Sequence, residues 1–151
     1  MPSARTTPTE WHKEEDEMLK QISIFAENSK GSMLKILSVL SRKNINILGS
    51  VTNDSAEYGI VRMVVSDYET AHKALCDAGY ICSTSNVIGV ELPDVPGSLE
   101  KLLGTLKDIN VFVDYIYLTF NRDSGMPMII LHTDYEEEVE QSLVQRGYVC
   151  G

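Results

Sequence analysis

Apolar and polar residues alternate from Ile22 to Ala26, with Ile22, Ile24 and Ala26 on one face. They alternate again from Ile88 to Leu92, with Ile88, Val90 and Leu92. A period of two predicts a half-buried strand. The period then lengthens: Met33, Ile36, Leu37 and Leu40, and later Leu99, Leu102, Leu103 and Leu106, recur at i, i+3, i+4 and i+7. That is the stripe of an amphipathic helix. Two β-rich runs follow in each case, Ile45 to Thr52 with Gly59 to Val65, then Val111 to Phe120 with Met126 to Leu131. Polar turn residues separate them, Asn53-Asp54-Ser55 in the first pair and Asn121 to Gly125 in the second. A second helix is predicted from Asp67 to Ala78 and from Asp134 to Gln145, with Asp67 and Asp134 as N-caps and Gly79 and Gly147 as stops. Short strands beginning at Tyr80 and Tyr148 close the two series.

The two series are one pattern written twice. Gly31-Ser32-Met33 returns 66 positions on as Gly97-Ser98-Leu99, and Gly79-Tyr80-Ile81-Cys82 returns 68 positions on as Gly147-Tyr148-Val149-Cys150. Matching apolar positions in two copies predict two modules of one fold. The order β-α-β-β-α-β predicts an α+β protein of two ferredoxin-like modules, each an antiparallel sheet with its helices on one face. Module one is expected over residues 18–85 and module two over 86–151, after a flexible tail at 1–17. A core of about 66 residues is marginal alone, so the modules are expected side by side as one unit. In module two, Phe112, Ile116 and Leu118 alternate with Val111, Val113 and Tyr115, so both faces of that strand are expected to be covered. Helices cover one face. Docking within the chain or a homodimer stacking its sheets would cover the other, and the homodimer is the expectation carried forward.

Charge narrows the partners. The net charge is −9, of which +1 falls in residues 18–85, −7 in residues 86–151 and −3 in the tail. An acidic chain without a Lys/Arg cluster repels phosphate backbones and anionic membranes. The absence of an apolar run of about 18 residues argues against a membrane span. Cys76, Cys82 and Cys150 are odd in number and sit in helix or strand contexts, which suggests reduced thiols and a cytoplasmic location. His12, His72 and His132 have no metal-ligand spacing and no matching nucleophile, so neither a metal nor catalysis is expected. No cofactor is expected either.

The sharpest motif is Leu92-Pro93-Asp94-Val95-Pro96-Gly97-Ser98-Leu99, which joins a strand to a helix. Free N–H groups and the dipole at a helix start attract a carboxylate. Asp94, just before it, is placed to accept from an ammonium. A carboxylate receptor beside an ammonium receptor describes a free amino acid. The same residues can instead be read as capping, with Asp94 and Ser98 as caps and Pro96-Gly97 as the turn.

The motif Asp-x-Pro-Gly-x-Leu (Asp94, Pro96, Gly97, Leu99), a leucine-striped helix and a strand opening Asn46-Ile47 resemble the ACT domain family. The resemblance spans both copies and implies a tandem ACT protein that binds small ligands, most often amino acids, between paired modules. Copy one departs from it. Asn28-Ser29-Lys30-Gly31-Ser32-Met33 keeps the amide and glycine positions but has Lys30 where proline is usual, and Phe112 stands opposite Asn46 in the repeat. The resemblance therefore implies one site from Asp94, Val95, Pro96, Gly97, Ser98 and Leu99 with Asn46 and Ile47. It implies a second site, more apolar or vacant, from the Asn28–Met33 loop with Phe112. A signal would pass to a separate effector protein.

Two other hosts of this topology fit less well. Phosphate-cleaving acylphosphatases carry an arginine at the first strand–helix junction, and neither junction here has one. RNA-recognition modules need stacking aromatics with basic flanks. Phe112, Tyr115, Tyr117 and Phe120 supply aromatics, but in a copy of charge −7. A ligand-independent protein-interaction module remains the alternative.

Overall fold

The computed structural model describes residues 18–54 and 58–151. The expected tail, with Trp11 and His12, and the turn residue Ser55 lie outside the described residues. The elements are β1 (Leu19–Glu27), α1 (Ser32–Arg42), β2 (Ile47–Asp54), β3 (Tyr58–Val65), α2 (Tyr68–Asp77) and β4 (Ile81–Glu91). They continue with α3 (Ser98–Asp108), β5 (Val113–Phe120), β6 (Pro127–Thr133), α4 (Glu136–Gln145) and β7 (Val149–Cys150). The protein is α+β, as the repeat predicts. The described residues divide into two compact units, Lys20–Ser85, and Asn86–Gly151 together with Met18–Leu19. Met18 and Leu19, expected with module one, belong to the second unit, where Met18 packs into the core.

In the first unit, β3 pairs antiparallel with β1 and β2, with Ile22 opposite Met63 and Ile24 opposite Val61. Residues directly opposite share a face. That face meets the helix stripes, so Ile22, Ile24, Met63, Ile36, Leu40 and Leu75 form a core from which water is fully excluded. The second unit repeats the plan in the strand order β7-β4-β6-β5, with Ile88 opposite Leu131 and Val90 opposite Ile129. Its core joins Ile88, Val90, Leu102, Leu106, Leu131 and Leu143. Burying one such side chain is worth about 1.5–3 kcal/mol.

All four helices end the same way. After α1 and α3, Asn44 and Asn110 take the left-handed conformation at φ 58° and 63°; after α2 and α4, Gly79 and Gly147 take it at 93° and 92°. The next N–H reaches back to the helix, as Ile45 to Leu40, Tyr80 to Leu75, Val111 to Leu106 and Tyr148 to Leu143. This is the Schellman closure, which satisfies the last carbonyls and folds an apolar residue onto the core.

Three expectations are corrected. The closing strand of copy one and the opening strand of copy two are a single strand, β4, because Ser83 to Val87 contain no glycine or proline to break it. Asp67 does cap α2, accepting from the Thr70 N–H, but Asp134 does not cap α4: the N-cap is Tyr135, left-handed at φ 58°. Finally, a register shift between Val113 and Tyr115 breaks the alternation in β5. Val111, Val113 and Ile116 consequently turn to the core together, while Phe112 stands 78% exposed. On the other face, Val87, Tyr117, Met128 and Ile130 are already buried in a single chain, so they give no argument for a second copy.

Candidate ligand groove beside the helix start

The two strand–helix loops share one geometry. Gly31 and Gly97 occupy the N-cap positions of α1 and α3 in the left-handed conformation, at φ 85° and 88°. Only glycine adopts that conformation without strain. No side chain caps either helix. Asp94 and Ser98 therefore do not act as caps, and the capping explanation of the motif fails on geometry. In copy one the Ser29 and Ser32 hydroxyls bond each other at 2.7 Å.

Beside each helix start runs a groove between the first helix and the last strand of the unit. In the second unit its volume is about 570 Å³, and its charged lining is Glu91, Lys101, Asp108 and Arg146. Ser98 and Tyr148 complete it. Several of these groups are held in place. Glu91 accepts from Asn121 Nδ2 at 3.1 Å and from the Ser124 hydroxyl at 3.0 Å. The Tyr148 hydroxyl bonds that of Thr105 at 3.1 Å. Arg146 donates to the Ser142 hydroxyl at 2.8 Å. The first unit has the same groove at about 340 Å³, lined by Phe25, Ser29, Ser32, Lys35 and Tyr80 among others. Two cations and two carboxylates around one cavity offer partners to both ends of a zwitterion.

Of the residues expected at a site, Ser98 lines the second groove, and Ser29 and Ser32 line the first. Asp94, Val95, Pro96, Gly97, Asn28, Lys30 and Gly31 are exposed in the loops. Met33, Leu99 and Ile47 pack against the cores. Asn46 is exposed, and its backbone N–H donates to the Ser66 hydroxyl at 3.0 Å. Sequence reasoning passed over Lys101, Arg146, Glu91 and Tyr148. Two had a readable signal, since Lys35 and Lys101 are 66 apart and Tyr80 and Tyr148 are 68 apart, the offsets of the repeat itself. Arg146 and Glu91 had none, because copy one has Ala78 and Phe25 in their places.

The chain repeats one β-α-β-β-α-β plan twice, each copy with its first helix started by a left-handed glycine. The sequence matches the ACT domain pair over residues 17–148, and the chain belongs to that family. It is similar to a protein of solved structure from Bacteroides thetaiotaomicron, at 31% identity over 89% of this chain and 92% of the other, with a TM-score of 0.82. The fold is shared with the ligand-free regulatory subunit of aspartate kinase from Thermus thermophilus, at 14% identity, TM-score 0.62, and 85% and 93% coverage. It is shared too with the aspartate kinase regulatory subunit from Thermus flavus, at 14% identity, TM-score 0.57, and 84% and 90% coverage. A search of curated proteins finds no match. No helix among the described residues is long and apolar enough to cross a membrane.

Proposed function

We propose that this ACT domain pair is an amino-acid-binding regulatory protein and that the groove of the second unit is its principal ligand site. The observation that carries the reading is the placement of Lys101 and Arg146 with Glu91 and Asp108 around one cavity of about 570 Å³. That volume lies within the usual range for small-molecule sites, about 300–1,000 Å³. In this reading the basic pair receives the ligand carboxylate and Glu91 or Asp108 receives its ammonium. The Asp94–Leu99 segment, at the start of the helix that supplies Ser98 and Lys101, forms the rim. The groove of the first unit, smaller and without an arginine, binds more weakly.

The test is a thermal-shift screen of the full chain against the twenty amino acids, followed by calorimetry. A ligand that binds only the native state raises the melting temperature. Arg146→Ala and Lys101→Ala are each expected to weaken binding about tenfold or more, the scale of one lost charge-assisted hydrogen bond. Unchanged affinity in both variants removes the groove from the proposal, and no response to any amino acid removes the ligand class. The protein is proposed to work in the cytoplasm, with reduced thiols, on a separate effector protein.

One observation supports self-association through β5, where Leu118 and Phe120 are 66% and 51% exposed. A homodimer covering them is the second part of the reading. A monomeric mass for the wild type at micromolar concentration, or a mass unaltered by Leu118→Lys, rejects it.

A further inference from the structure

The groove of the second unit is tied to a turn that lies outside it. Glu91, half-buried at the end of β4, accepts from the Ser124 hydroxyl at Oε1 and from Asn121 Nδ2 at Oε2. Both donors belong to the turn that joins β5 to β6, and neither lines the groove. The same two side chains also build that turn. Asn121 Oδ1 accepts from the Asp123 N–H at 2.8 Å and from the Ser124 N–H at 3.2 Å. The Ser124 hydroxyl, which donates to Glu91, accepts from the Met126 N–H at 3.2 Å. Two backbone bonds of 2.8 Å close the loop, from the Asn121 N–H to the Met126 carbonyl and from the Gly125 N–H to the Asn121 carbonyl. Turn and carboxylate therefore form one hydrogen-bonded unit, and Met126 at its end is itself part of the groove wall.

An ionised carboxylate offers about four lone-pair sites, two at each oxygen. Asn121 and Ser124 occupy one at each, and Glu91 makes no other hydrogen bond among the described residues. One site per oxygen is left for an ammonium in the groove. The two donors hold the Glu91 carboxylate in one position, so a ligand that uses it loses less side-chain entropy on binding. The first unit has no such device, because the counterpart of Glu91 is Phe25, whose ring carries no acceptor oxygen.

Building on this groove as the amino-acid site, we propose that Asn121 and Ser124 are its positioning residues and that a bound amino acid clamps the β5–β6 turn through Glu91. The coupling is reciprocal: the factor by which the docked turn raises affinity is the factor by which the ligand favours docking. The turn leads back into Phe120, which is half exposed, with the Arg122 guanidinium 4.0 Å from its ring centroid. Binding is thereby relayed to the exposed end of β5, the surface assigned above to self-association.

The experiment screens the full-length wild type, Ser124→Ala, Ser124→Thr and Asp123→Ala by thermal shift against each of the twenty amino acids. Calorimetry and amide hydrogen exchange follow, with each amino acid that raises the wild-type melting temperature. At saturation, exchange at Asp123, Ser124, Gly125 and Met126 is expected to slow about fivefold or more beyond the rest of the second unit, the lower end of allosteric couplings. Ser124→Ala weakens binding by a comparable factor, as reciprocity requires, and abolishes the extra slowing. Ser124→Thr, which keeps the hydroxyl, restores both. Asp123→Ala, which keeps the N–H that bonds Asn121, changes neither. An amino acid that binds without extra slowing in the turn, or that binds Ser124→Ala as tightly as the wild type, overturns the coupling and leaves the groove as the site. No melting shift in the wild type with any amino acid overturns the groove as the site and the coupling with it.

Discussion

The first and second units share a frame and differ in what they mount on it. Leu40 and Leu106 are buried at equivalent points, Gly31 and Gly97 start equivalent helices, and Asn44 and Asn110 end them. In the groove the correspondence breaks. Phe25 and Glu27 of the first groove become Glu91 and Pro93 in the second, and Thr105, Asp108 and Arg146 line the second groove although their counterparts Val39, Arg42 and Ala78 do not line the first. The charged lining changes from Glu27 and Lys35 to Glu91, Lys101, Asp108 and Arg146, and the cavity grows from about 340 to about 570 Å³. Ser32, Lys35 and Tyr80 recur as Ser98, Lys101 and Tyr148, so part of the lining is common to both grooves, while Glu91, Asp108 and Arg146 are additions of the second. That contrast locates chemistry in the second unit better than any single motif does.

The strongest asymmetry in packing is at Gly89, where the first unit has Ser23. A Cβ on Gly89 would lie 2.9 Å from Met128 Sδ and 3.0 Å from the carbonyl oxygen of Gly151. The backbone contact cannot yield as a flexible side-chain end can. Gly89→Ser, which imports the residue of the other copy, is expected to cost about 1–3 kcal/mol by overpacking. Chemical denaturation measures it, and a variant as stable as the wild type shows that the β4–β7 edge is loose.

Helix starts supply the next contrast. Tyr135 begins α4 in a left-handed conformation that is strained for a bulky residue, and its ring is 76% exposed. Tyr135→Gly removes that strain without uncovering a core and is expected to raise stability by about 1 kcal/mol. At the equivalent place in the first unit, Asp67 accepts from the Thr70 hydroxyl at 2.7 Å and from its N–H at 3.2 Å. These bonds, the hydroxyl first, hold the Asp67 carboxyl below its usual range. A depressed folded-state pKa means the cap contributes above the unfolded value of about 4 and is lost as the pH falls through the folded one. Acid titration should therefore show Asp67→Ala converging on the wild type below about pH 4, whereas Tyr135→Gly keeps its advantage there. Parallel curves for Asp67→Ala would rule out the cap as the source.

Most of the fold could be read from period and repeat, because strand alternation, helix stripes and the closing glycines Gly79 and Gly147 are local signals repeated in two copies, whereas the closing Asn44 and Asn110 were not anticipated. What escaped was set by tertiary context. The shift at Asp114 reassigns the faces of β5, and no residue type there marks a bulge. His132 bonds Asp114 at 2.8 Å and stacks on Tyr115, a pairing that needs β5 and β6 in register before it exists. The candidate site was readable in its backbone half, the glycine-started helix and its loop. Its charged half was not, since Glu91, Lys101, Asp108 and Arg146 come from three elements or their ends and converge only on folding.

The smallest expected difference is also the cleanest, because one atom separates the variants. Tyr148 and Tyr80 follow equivalent Schellman glycines and line equivalent grooves. The Tyr148 hydroxyl bonds the Thr105 hydroxyl, whereas the counterpart of Thr105 in the first unit is Val39, which has no polar atom in its side chain. Tyr148→Phe leaves a part-buried hydroxyl short of its partner and is expected to cost about 1 kcal/mol. Tyr80→Phe should change stability by less than about 0.5 kcal/mol. Thr105→Val, which copies the first unit, isolates the bond: in that background Tyr148→Phe should cost almost nothing. If the double-mutant cycle instead closes additively, the two hydroxyls are independently solvated, and the polar lining of the second groove is not preorganised for a ligand.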